Sequence, residues 1–156
     1  MKESLENARQ ELKRVDHLFW VSLKYTRTVD VIRNTVQRLI NAFDFGLDSI
    51  LKYAKENKLI EDIPKNSGLK CDLLKNTFPE NRRLLGYVNF YLKLRKILNA
   101  EYTKKEEYRR HVTMTVSVDG ETINVDIDLL KEYYEKSKQF VNFVKVMVEG
   151  EEEEEV

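Results

Sequence analysis

Along the first sixty residues the apolar positions recur at intervals of three and four. Leu5, Ala8, Leu12, Val15 and Phe19 make one stripe, and Val29, Ile32, Val36, Leu39, Phe43, Leu47, Ile50 and Ala54 make a second, which is the period of one helix face. The second stripe runs through Gly46, at a cost of about 1 kcal/mol relative to Ala. A single helix over residues 3–57 would be roughly 80 Å long, about twice the breadth of a domain this size, so the chain must turn. The turn is expected between Tyr25 and Asp30, where Thr26, Thr28 and Val29 are β-branched and Thr28 or Asp30 can accept bonds from the next helix's open amide groups.

Asn57 to Gly68 carries Pro64, Asn66, Ser67 and Gly68 without periodicity, which predicts a loop. A short helix over 69–77 follows, with Cys71, Leu74 and Phe78 inward. Pro79 suits the first turn of a further helix, whose stripe reads Leu84, Val88, Tyr91, Arg95, Leu98 and Tyr102. Arg95, the one charge in that stripe, is expected to lay its methylenes along the core with its head in water.

After Lys104 the period changes to two. Val112, Met114, Val116 and Val118 alternate with Thr113, Thr115 and Ser117, the mark of a strand. Asp119-Gly120 supplies a two-residue type I′ turn. Folding there sets Val116 opposite Ile123, Met114 opposite Val125 and Val112 opposite Ile127, with Ser117–Thr122, Thr115–Asn124 and Thr113–Asp126 on the other face. The last helix is expected to start after Asp126 or Asp128, to bury Leu130, Tyr133, Ser137, Phe140, Val144 and Met147, and to end at Gly150. The fold read from these patterns is mainly α: an antiparallel four- to five-helix bundle with a β-hairpin at about 111–127 inserted before the last helix. It forms one domain over 1–148, followed by an acidic tail over 149–156 that is expected to be disordered.

The 156 residues, 42% of them hydrophobic, suffice for one such core. No apolar run approaches a membrane span and the N-terminus lacks a signal-peptide stretch, so a cytoplasmic, non-membrane chain is expected. Cys71, the single cysteine, is read as a small core residue. Many Lys, Glu and Arg with only three Gln match the usage of thermophiles, which points to a thermophilic or archaeal source.

The balance of 27 basic and 27 acidic residues conceals an asymmetry. Glu149 and Glu151 to Glu155 place six acids in the last eight residues, so the remainder carries 27 basic against 21 acidic. The excess lies between Arg82 and Arg110, with nine Lys or Arg against three Glu. A tail folding back over that segment would compete with an anionic partner.

The five glycines are isolated from one another, which excludes P-loop and dinucleotide fingerprints. His17 and His111 belong to no metal-ligand spacing and one Cys cannot build a zinc site, so neither metal nor cofactor is expected; His17 is read as an interior or rim histidine. What remains is Tyr87 to His111, where Lys93, Arg95, Lys96, Lys104, Lys105, Arg109 and Arg110 interleave with Phe90, Tyr91, Tyr102 and Tyr108. Cations contact phosphates and aromatics stack on unpaired bases. The competing reading is a solvated basic face over core aromatics, balanced by Glu101, Glu106 and Glu107.

Leu94-Arg95-Lys96-Ile97-Leu98-Asn99-Ala100-Glu101-Tyr102 and, later, Ser137-Lys138-Gln139-Phe140-Val141-Asn142-Phe143-Val144-Lys145 resemble the HEPN superfamily of helical bundles, over about residues 85–148. The resemblance implies an antiparallel bundle, often a homodimer, among RNA-cleaving toxins, partners of small nucleotidyltransferases and inactive binding modules. Active members carry an Arg followed by a polar residue and, four to six residues after the Arg, a His. Arg95 is the counterpart of that arginine, but Asn99, Ala100, Glu101 and Tyr102 follow at the relevant spacing and the nearest histidine is His111. This departure favours a noncatalytic binding or interaction module, with an RNA or protein partner at the helix face around Arg95. Its candidate binding residues are Arg95, Lys96, Tyr102, Arg109, Arg110 and His111. The alternative is a metal-independent endoribonuclease or RNA-binding protein of toxin-antitoxin type, in which Arg95 and His111 serve as cation and base.

Overall fold

In a computed structural model, which describes residues 1–150, the first apolar stripe forms α1 (Lys2–Trp20). A single turn of helix, α2 (Ser22–Tyr25), precedes the long α3 (Val29–Glu56). The break falls where β-branching predicts it: Thr28 is extended, and its hydroxyl accepts a hydrogen bond from the Val31 amide at 3.3 Å. α3 then runs antiparallel to α1, as the Ser49–Met1 and Arg38–Glu11 contacts show.

Asn66 caps α4 (Ser67–Thr77), which therefore starts two residues before the expected 69. Pro79 does not enter the next helix. Asn81 accepts from the Leu84 amide, so α5 (Arg82–Asn99) begins after the proline, in register with that cap. Ala100 is extended, and Tyr102, expected to continue the helix, opens a strand instead: β1 (Tyr102–Lys105). β2 (Thr113–Val118) and β3 (Glu121–Val125) complete an antiparallel sheet in the order β1-β2-β3. The expected hairpin is thus two strands of a three-stranded sheet.

The β2–β3 register agrees with the sequence pattern from Met114↔Val125 through Ser117↔Thr122. Asp119 and Gly120 both have positive φ, 52° and 81°, as a type I′ turn demands. The expected Val112–Ile127 and Thr113–Asp126 pairs do not form. Asp126 turns out of the sheet to cap α6 (Ile127–Glu149), accepting from the Leu129 amide at 2.8 Å, and Ile127 is already helical. Gly150 ends α6 in the left-handed conformation. The expected tail boundary at 148 therefore moves, since Glu149 is the last residue of α6; the disorder expected of the tail falls on residues outside those described.

α5 and α6 are antiparallel, with Tyr87 beside Phe143 and Phe90 beside Tyr133, and the four long helices alternate in direction. Phe43, Phe90, Tyr91 and Phe140 meet in one aromatic cluster at the centre, where Phe43 and Phe140 stack with centroids 4.2 Å apart. Gly46 belongs to this contact. A Cβ built there would lie 2.8 Å from Phe140 Cζ, so the glycine lets the ring lie against the α3 backbone. Val112, Met114, Val116 and Val118 are all buried, so the sheet's apolar face closes the core over α5. Among the described residues no helix is long and apolar enough to cross a membrane.

Candidate functional site

The residues singled out by sequence fall into two neighbourhoods. Arg95 belongs to the first. Its Nη1 donates to the Tyr91 hydroxyl at 2.9 Å, and that hydroxyl donates to Asp44 on α3. Tyr91 is buried, and burial is the main cause that raises its phenol above the ordinary value, reinforced by Asp44. Asp44 keeps a solvent-facing side, yet desolvation raises its carboxyl despite the opposing bond from Tyr91 and the charge of Arg95. The chain Arg95–Tyr91–Asp44 ties α5 to α3, with its polar groups satisfying one another. Cys71 lies close enough to feel both charges; it is buried, and its thiol is pushed up chiefly by that burial, which disfavours a reactive thiolate.

Lys96 and Tyr102 also have partners within the fold. Lys96 Nζ lies 2.8 Å from Asp119 in the β2–β3 turn, and the Arg33 guanidinium sits 4.6 Å from the centroid of the Tyr102 ring. Arg33 in turn donates to the Leu98 carbonyl at 3.1 Å. These contacts fix the passage from α5 into the sheet.

Arg109, Arg110 and His111 lie elsewhere, on the connection between β1 and β2, and all three are exposed. This connection is held under backbone strain. Glu106 and Tyr108 adopt φ of 53° and 66°, a conformation costing non-glycine residues about 1 kcal/mol each. The Tyr108 amide donates to the Arg27 carbonyl at 2.6 Å, and the Arg109 and Val112 amides close turns onto Glu106 and Arg109. Tyr108 itself is 77% exposed, so its ring recovers little of that strain by burial.

Arg110 and His111 line a cleft of about 690 Å³ between the end of α1, α2, this connection and the start of α6. Arg95 and Arg109 are not among its walls. Within one chain, then, Arg110 and His111 share a cavity, and the Arg95 group forms a separate cluster. The floor is aromatic, with Phe19 and Tyr134 at 5.5 Å between centroids. Trp20 lines the cleft while 67% exposed, and Tyr25 beyond it is 75% exposed with Lys24 over its ring. Lys24, Arg27 and Arg110 supply cations, and Arg27 Nε donates to the Leu23 carbonyl at 3.3 Å. Asp16, Asp126, Asp128 and Glu135 supply carboxylates, and Lys131 lies among them on α6. Such a cleft can stack a planar ring, hold a phosphate on its cations and accept hydrogen bonds from exocyclic amino groups on its carboxylates.

Sequence reasoning missed Trp20, Lys24, Tyr25 and Arg27. A signal exists in the helical phase: Phe19 continues the stripe of Val15 and Leu12, which leaves Trp20 and Val21 turned away from it, and both are exposed. His17, read as an interior or rim histidine, is exposed on α1.

Among the described residues no group of three or more His, Cys, Asp or Glu is placed to hold a metal ion. No family model, no curated protein and no solved structure matches the chain.

Proposed function

We propose that the chain is a noncatalytic, HEPN-like binding module whose ligand is single-stranded RNA, taken at the cleft between α1, α2, the β1–β2 connection and α6. The observation that carries this reading is the exposure of Trp20 in the cleft wall, in company with Lys24, Arg27, Arg110 and His111, while Tyr25 and Tyr108 are exposed on α2 and the β1–β2 connection that border it. An exposed aromatic beside cations is the composition of a base-stacking platform with phosphate contacts, each stacked base being worth about 1–3 kcal/mol. The Arg95 face, the first expectation, has less to offer a base, because Tyr91 is buried and the Tyr102 ring already lies against the Arg33 guanidinium.

A second reading, metal-independent RNA cleavage, draws on Arg110 and His111 lining one cleft. A histidine base and a cation at one phosphate are what the reaction needs. The resemblance also makes a homodimer the expected assembly, which light scattering on the purified chain tests by mass.

Titration of a fluorescent oligoribonucleotide against salt, with gel analysis of the same RNA, tests both readings. The module reading expects affinity that falls steeply with salt and RNA that stays intact. Cleavage lost in His111→Ala, with an unchanged melting curve, would favour the enzyme. Absence of binding at low salt would remove the RNA reading.

A further inference from the structure

A second surface, outside the cleft, has its own composition. Gln10, Lys13, Arg14 and His17 follow one another on α1 at i, i+3, i+4 and i+7. Asn34, Gln37, Arg38 and Asn41 repeat that spacing on α3. The two antiparallel stripes flank a groove of about 720 Å³, whose lining holds no carboxylate and, apart from the His17 imidazole, no aromatic ring. Beneath it Glu11 is buried and pins two arginines: Arg14 Nη1 lies 2.7 Å and Arg38 Nη1 3.3 Å from its carboxylate, while the arginine side chains stay 58% and 42% exposed. A guanidinium has five N–H donors, and Glu11 accepts from one nitrogen of each. The arginines are thus oriented in advance, with donors to spare for an anion.

We propose that this α1–α3 groove is a second contact surface for RNA, gripping the sugar-phosphate backbone; the inference rests on the RNA reading of the cleft. Lys13, Arg14 and Arg38 bring cations to a lining that holds no carboxylate, which suits the groove to phosphates. The groove also neighbours the cleft along α1. Lys13, His17 and Trp20 follow at four and three along α1, all exposed, and the step from Lys13 to Trp20 is about 10 Å along the axis. A strand stacked on Trp20 would run along this line into the groove.

The test uses the full-length chain, a long oligouridylate of roughly 24 nucleotides and a dinucleotide, too short to reach from Trp20 along the roughly 10 Å to Lys13. The variant Lys13→Ala/Asn34→Asp removes one cation and adds one acid at the groove while leaving both arginines on Glu11. It should bind the long strand about 10-fold more weakly than the parent chain, with a salt slope shallower by about one, and bind the short strand unchanged. Trp20→Ala should weaken both lengths. If the groove variant binds the long strand like the parent while Trp20→Ala does not, the groove is overturned and the cleft stands. Equal losses on both lengths would also overturn it, as a disturbance of the cleft. No binding of either strand by the parent chain would overturn the cleft reading and the groove with it.

Discussion

Gly46 and Phe140 show how closely one residue can govern the core. Ala is the better helix former by about 1 kcal/mol, yet a methyl at 46 would meet the Phe140 ring, which is itself stacked on Phe43. Gly46→Ala should therefore destabilise the chain by about 1–3 kcal/mol, the usual cost of overpacking, read as a lower urea midpoint with an unchanged slope; a raised midpoint would contradict the packing. Asp44 gives a pH prediction. Its carboxyl is raised by desolvation in the folded chain, so the folded state binds that proton more tightly than the unfolded one. Its contribution to stability is then lost as pH climbs from the ordinary Asp value through the raised one. Asp44→Asn keeps an acceptor for Tyr91 and should remove that loss. Its melting temperature, followed from about pH 3.5 to 7, should fall less with rising pH than the parent's; an identical profile would show that Asp44 titrates normally.

At the scale of elements, the sheet separates what sequence discloses from what it conceals. β2 and β3 were legible because the apolar residue at every second position and the Asp119-Gly120 turn point to one register. β1 was not. Tyr102 to Lys105 are all exposed, so no apolar alternation marks them, and the strand exists through its pairing with β2. The helix stripe reaching Tyr102 concealed the end of α5, which an extended Ala100 sets. Gly120, at φ 81°, should resist substitution. Gly120→Ala should cost about 1 kcal/mol, whereas Lys96→Ala, which removes an exposed ion pair to the same turn, should cost less than about 0.5 kcal/mol. Both values come from denaturant melts, and the reverse order would mean that the ion pair, not the backbone, holds the turn.

For the whole molecule, the bundle was readable because its apolar stripes are long and its caps are chemically explicit at Thr28 and Asp126. The candidate site was readable only in part. Arg110 and His111 stood out by composition, but their cleft is built with Trp20, Lys24 and Arg27, more than eighty positions away, and no local pattern announces that meeting. Arg95, prominent as a charge in an apolar stripe, is explained by Tyr91 and Asp44, a contact across helices. The same distance effect hid the groove: each polar stripe alone reads as a solvated helix face, and only the antiparallel packing of α1 and α3 joins them.

The central claim is that single-stranded RNA engages the cleft through Trp20 rather than the helix face around Arg95. The most direct measurement compares the affinity of Trp20→Ala, Arg95→Ala and the parent chain for one fluorescent oligoribonucleotide at low salt, with melting curves to confirm the fold. Trp20→Ala should bind about 10-fold more weakly, the loss of about 1.4 kcal/mol of stacking, and Arg95→Ala should bind within about twofold of the parent. Unaltered binding by Trp20→Ala together with a large loss in Arg95→Ala would contradict that claim and move the interface to α5.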